Sequence, residues 1–73
     1  MEHTKITPTV EDYLKAIYVL GEEAQPVIAA RVAVEMGVSP STMFSTVRRL
    51  EREGYVRVKR RKEIHLTGKG KKV

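Results

Sequence analysis

Cysteine is missing from all 73 residues. Its absence excludes disulfide reinforcement and thiolate metal sites, and it fits the cytoplasmic localisation we expect. No apolar run approaches the ~20 residues of a membrane span. The opening MEHTKITPTVED lacks the apolar core of a signal peptide, so no membrane partner is expected. Aromatic residues are scarce, with no Trp, one Phe and three Tyr, which leaves a mainly aliphatic core. There is no internal repeat and no low-complexity linker. A chain this short buries roughly 60% of its unfolded surface and makes one small domain, which we place at 7–73. No nucleophile–base pair, paired carboxylates or cofactor motif is visible, and an enzyme is not expected. The Gly68-Lys69-Gly70-Lys71-Lys72 run lacks the glycine spacing and the Lys-Ser/Thr pair of a Walker loop.

What is present is charge, unevenly spread. The net charge is +5. Residues 1–38 hold three basic residues (Lys5, Lys15, Arg31) against six acidic ones, whereas residues 39–73 hold eleven against three. A small domain with its positive charge in one half points to a polyanionic partner.

The most informative stretch is Ser39–Gly54, SPSTMFSTVRRLEREG. Ser39 or Ser41 can cap a helix, Pro40 suits its first turn, and Gly54 can end it. Met43, Val47 and Leu50 form one apolar stripe. Ser41, Thr42 and Ser45 remain outward on the early turns, followed by Arg48, Arg49 and Arg52. Small polar side chains let a helix approach a surface closely, as a helix entering a DNA major groove must. Phe44 lies off the stripe. It either covers the edge of the core or touches a thymine methyl group.

Upstream, residues 1–6 read as frayed. Thr7 or Thr9 can cap a helix from about Pro8 to Glu22, with Glu11 and Asp12 in its first turn. Val27-Ile28 reads as a short strand after Pro26. Ala29–Met36 reads as a short helix with Ala29, Val32, Ala33 and Met36 inward, and Gly37-Val38-Ser39 as the turn of a helix-turn-helix. Downstream the period changes to two. Tyr55–Lys59 and Glu63–Leu66 alternate, with Val56, Val58, Ile64 and Leu66 inward. They predict a hairpin whose tip, Arg60-Arg61-Lys62, is wholly cationic and contains no Gly or Asn. Such a tip suits a phosphate backbone, although it also discourages edge pairing. Thr67 can cap a last helix, of which 67–73 is only a start. One turn is not stable alone, so the end either frays or belongs to a longer protein.

The expected fold is therefore α+β, a winged helix-turn-helix of three helices plus a small antiparallel sheet with a basic wing. Val27-Ile28 is expected to add a third strand. The expected function is sequence-specific binding of double-stranded DNA. The candidate contacts are Ser39, Pro40, Ser41, Thr42, Ser45, Thr46, Arg48, Arg49, Arg60, Arg61 and Lys62, with the arginines mostly on phosphates. A winged helix can also serve protein–protein contact, which is the competing reading.

PTVEDYLKAIYVL (8–20), GVSPSTMFSTVRRLEREGYV (37–56) and IHLTGKGKK (64–72) resemble the N-terminal DNA-binding domain of the diphtheria toxin repressor family. These are iron- and manganese-dependent repressors, and the likeness covers about residues 8–72. The resemblance implies a metal-activated homodimeric repressor of metal-uptake genes that binds a palindromic operator. It also implies a second, helical domain, not in this chain, that supplies dimerisation and most ligands to a divalent iron or manganese ion. None of that metal is expected to bind this chain alone. Asp12 falls at the position of a first-helix metal ligand. The carboxylate found three residues further on in manganese regulators is replaced by Lys15. The family often has Gly near position 63, where this chain has Glu63, so the turn of the wing is left open.

Overall fold

The structure, a computed structural model, describes residues 8–73. The expected fraying of residues 1–6 and the alternative cap Thr7 lie outside the described residues. The element order is α1 (Val10–Gly21), α2 (Ala29–Met36), α3 (Pro40–Arg52), β1 (Val56–Val58), β2 (Ile64–Leu66) and α4 (Gly68–Lys71), with a one-turn 3-10 segment, Arg60–Lys62, at the hairpin tip.

Thr9 sets the start of α1, so the helix begins two residues later than the periodicity predicts. The Thr9 hydroxyl accepts the Asp12 N–H at 3.2 Å, and the Asp12 carboxylate accepts the Thr9 N–H at 3.0 Å. This reciprocal pair satisfies two N–H groups that a helix start otherwise leaves unbonded. Pro8 therefore sits ahead of the cap. Tyr13, Leu14, Ile17 and Leu20 bury the inner face.

The expected third strand does not form. The sheet has two antiparallel strands, with Val56 opposite Leu66, Arg57 opposite His65 and Val58 opposite Ile64. Val27 is buried and takes one hydrogen bond, from the Ile64 N–H to its carbonyl at 2.8 Å. The neighbouring carbonyls are committed elsewhere. Arg31 donates to those of Gln25 and Pro26 at 3.2 and 3.0 Å and pairs with Glu23. The Ile28 carbonyl serves the first turn of α2. Pro26 has no N–H to give. A ladder cannot extend on either side of Val27.

α2 and α3 pack against each other and are joined by a turn that needs Gly37. Its φ is +70°, in the left-handed region. Val38 then returns its N–H to the Ala33 carbonyl at 3.1 Å. Met43, Leu50 and Val32 are sealed from solvent at the junction of the helices, and Val56 and Ile64 close the core from the sheet side. Tyr13, Leu20 and Val27 belong to this core as well, although the apolar stripes alone place them at its edge or outside it.

α3 ends as Gly54 predicts. Gly54 has φ +84°, its N–H bonds to the Glu51 carbonyl, and the Tyr55 N–H reaches back to Leu50 at 2.9 Å. This closing turn redirects the chain into β1. α4 docks onto the same corner. The Thr67 hydroxyl donates to the carbonyls of Gly54 (2.6 Å) and Tyr55 (3.1 Å) and accepts the Gly70 N–H at 3.1 Å. Lys69 Nζ donates to the Glu53 carbonyl at 2.8 Å and lies 4.6 Å from the centre of the Tyr55 ring. One helical turn, unstable by itself, is held by these contacts.

Gly70 is buried, and a Cβ there would overlap the Tyr55 carbonyl oxygen. Gly70→Ala is expected to destabilise the domain by about 1–3 kcal/mol, read from the midpoint of urea unfolding. Gly68→Ala meets open space and is expected to be neutral or stabilising by up to about 1 kcal/mol. Equal effects of the two substitutions would contradict this account of the corner.

Candidate nucleic-acid interface

The turn after Gly37 delivers Ser39 as the cap of α3. Its hydroxyl accepts the Thr42 N–H at 3.2 Å and donates to the Thr42 hydroxyl at 3.0 Å, with Ser41 Oγ 3.4 Å away. Pro40 occupies the first helical position, where its missing N–H leaves nothing unbonded. Because Met43, Val47 and Leu50 are buried, the rotation of α3 about its axis is set. Residues 41, 45, 48 and 52, spaced i, i+4, i+7 and i+11, point the other way. All four are exposed.

The sequence-predicted contacts divide by position. Ser41, Ser45 and Arg48 lie on the outward line. Ser39 and Thr42 are exposed but tied to each other at the cap. Thr46 is half-buried and turns toward the body. Arg49 is exposed, with its Nε 3.2 Å from a Glu53 carboxylate oxygen, a pairing of modest worth on a helix surface. Arg60, Arg61 and Lys62 are exposed at the wing tip, and among the described residues none of them has a carboxylate partner. Arg61 lines a shallow groove together with Ile28 and Arg31, beside the N-terminal end of α2.

For Phe44 the sequence left two alternatives open, and the structure excludes one of them. Phe44 does not cover the core edge. Its side chain stands out from α3, 59% exposed, with the Arg48 guanidinium carbon 5.7 Å from the ring centre. The burial of adjacent Met43 dictates this direction. Thr67, Lys69 and Gly70 were not anticipated as the anchor of the wing. Their signal was the LTGKG run, legible as a cap and little else.

The wing's turn is now specified. Arg61 (φ +63°, ψ +20°) and Lys62 (φ +61°) are both left-handed. The Lys59 N–H bonds to Glu63 at 2.8 Å across the base, and the Lys62 N–H bonds to Lys59 at 2.9 Å. Two successive non-glycine residues in this region are strained. Together with Arg60 they crowd three like charges. The tip thus concentrates positive potential on a short and conformationally costly loop.

Residues 5–64 match the family model described as the iron dependent repressor, N-terminal DNA binding domain. The chain belongs to this family. It is 39% identical over 67 residues to the iron-dependent repressor IdeR of Mycobacterium tuberculosis, covering 92% of this chain and 29% of that protein. It is 34% identical over 67 residues to the HTH-type transcriptional regulator MntR of Bacillus subtilis, covering 92% and 47% respectively. A hypothetical protein of Sulfolobus solfataricus has a solved structure that superposes with a TM-score of 0.76 at 26% identity, covering 85% of this chain and 47% of that one. The chain thus spans less than half the length of these relatives. The family resemblance read from the three sequence runs is borne out, as is the winged helix-turn-helix fold.

The described residues of this domain do not by themselves fit a metal centre. Among the described residues no group of three His, Asp or Glu side chains could hold an ion. Asp12 is exposed, already accepts the Thr9 N–H, and is followed one turn later by Lys15. Hard divalent ions need several oxygen ligands. In this chain Asp12 has a structural role as the second half of a capping box.

Replacing Lys62 by Gly removes the side-chain penalty of the left-handed conformation, partly offset by glycine's greater backbone entropy. Lys62→Gly is expected to raise stability by about 0.5–1 kcal/mol in thermal unfolding, whereas Lys62→Ala, which retains the strain, is not. A destabilised glycine variant would contradict the left-handed assignment.

Proposed function

We propose that this domain binds double-stranded DNA sequence-specifically, as the reading module of a metal-dependent repressor of metal-uptake genes. One observation carries the reading: α3 turns an exposed line of small hydroxyl residues, and cations without a carboxylate partner among the described residues, away from a sealed apolar face. In this reading α3 lies in the major groove, where Ser41 and Ser45 meet base edges. Arg49 and the wing residues Arg60, Arg61 and Lys62 meet phosphates, which fix register and supply most of the affinity. Pro40, Ser39 and Thr42 shape the start of the helix so that it can approach closely, and Thr46 supports it from the flank. The relatives' greater length supports placing the iron or manganese ligands, and the contacts of a homodimer, in sequence beyond the matched part. A cytoplasmic location follows from the same role.

Membership of a family described as DNA-binding supports this reading over a protein–protein module. The competing role draws on one observation, Val34, which is 83% exposed on α2. It expects a partner captured independently of nuclease and salt.

Fluorescence anisotropy with labelled duplexes at several salt concentrations tests the proposal. Binding is expected to be weak for one copy and to fall steeply with salt. Arg60→Ala and Arg61→Ala are each expected to weaken binding to every duplex and to reduce the salt slope by about 1. Ser41→Ala and Ser45→Ala are expected to change the sequence preference instead. No duplex affinity at low salt would overturn the proposal.

A further inference from the structure

A large aromatic ring standing in solvent on an otherwise polar and cationic helix face has no structural role in the domain. Phe44 buries nothing in the core, and Met43 beside it is sealed, so no rotation of α3 could bring the ring inward without exposing the core. Among the described residues the ring has one cationic companion. The Arg48 guanidinium carbon lies 5.7 Å from its centre, within reach of a cation–π attraction. Arg48 has no carboxylate partner among the described residues, in contrast to Arg49, which Glu53 draws to the flank. The two side chains come from successive turns of one helix and reach outward together.

The major groove offers a matching pair of targets. The thymine C5-methyl is the apolar group on a base edge there, and guanine O6 and N7 form the acceptor pair that fits a guanidinium fork. Base pairs are stacked about 3.4 Å apart along a strand. Two groups separated by 5.7 Å therefore serve base pairs within two steps of each other. We infer that Phe44 and Arg48 act as one specificity-determining unit, with Phe44 against a thymine methyl and Arg48 on a nearby guanine, the ring holding the guanidinium in place. This rests on the placement of α3 in the major groove. It also moves Arg48 from backbone positioning to base reading, where a Phe→Ala change is felt by the arginine as well.

The test uses duplexes that the chain itself selects from a randomised pool. Each selected thymine is replaced in turn by deoxyuridine, which removes the methyl and leaves the hydrogen-bonding groups. For the wild-type chain one such replacement is expected to weaken binding about fourfold, the worth of one buried methyl-sized group. Replacing a guanine within two steps of it by 7-deazaguanine is expected to weaken binding by about tenfold. Phe44→Ala is expected to bind the thymine and deoxyuridine duplexes equally, and Phe44→Leu to retain part of the difference. Arg48→Ala is expected to be indifferent to 7-deazaguanine. Salt-dependent wild-type binding with no deoxyuridine effect at any thymine would overturn this inference and leave the DNA-binding role standing. So would a Phe44→Ala chain that still discriminates. A wild-type chain that binds no duplex at all would overturn the role beneath it.

Discussion

The corner at Gly54-Tyr55 governs the geometry of the whole domain. Three elements meet there within a few residues: the end of α3, the start of the wing, and the single turn of α4. The left-handed Gly54 and the Tyr55 N–H to Leu50 bond end the helix. The Thr67 hydroxyl then ties the carbonyls of residues 54 and 55 to the far end of the hairpin. Both strands of the wing are thus clamped at their base to the helix whose outward face is the candidate contact surface. A module that engages two features of one duplex needs the distance between its two contacts held constant, because looseness there loses binding energy to ordering.

From that corner outward, burial falls as charge rises. α3 is held by three buried side chains and by a cap in which Ser39 both accepts from and donates to Thr42. The wing has only three residues in each strand, and its tip turns through two left-handed cationic residues. The strain and the crowding of like charge are concentrated where an anionic partner would relieve the second of them. A strained, solvent-exposed loop is a common site of function because the surrounding structure must hold it in place. Here the Lys59–Glu63 bond and the Val58–Ile64 pairing do so.

The elements were legible before any coordinates because their punctuation is local. Gly37, Gly54, Pro40 and Thr67 act through their own backbone preferences, and the switch from a period of 3.6 to one of 2 marks where α3 gives way to the hairpin. Thr9 and Asp12 were individually readable as first-turn residues. Their mutual hydrogen bonds, which decide the start of α1, depend on the cap geometry. The third strand failed for a reason no pattern carries. Val27 and Ile28 have the right composition, but Arg31 and the first turn of α2 had already taken the neighbouring carbonyls.

By itself, then, the order of residues determined the order of the helices and the two strands of the wing, the inward stripe of α3 and the cationic half of the chain. Each of these follows from backbone preference, periodicity or simple charge, and none needs a distant partner. Tertiary structure alone decided that Val27 joins the core without joining the sheet and that Gly70 must lack a side chain. Those outcomes turn on which atoms from remote segments compete for the same hydrogen bond or the same space.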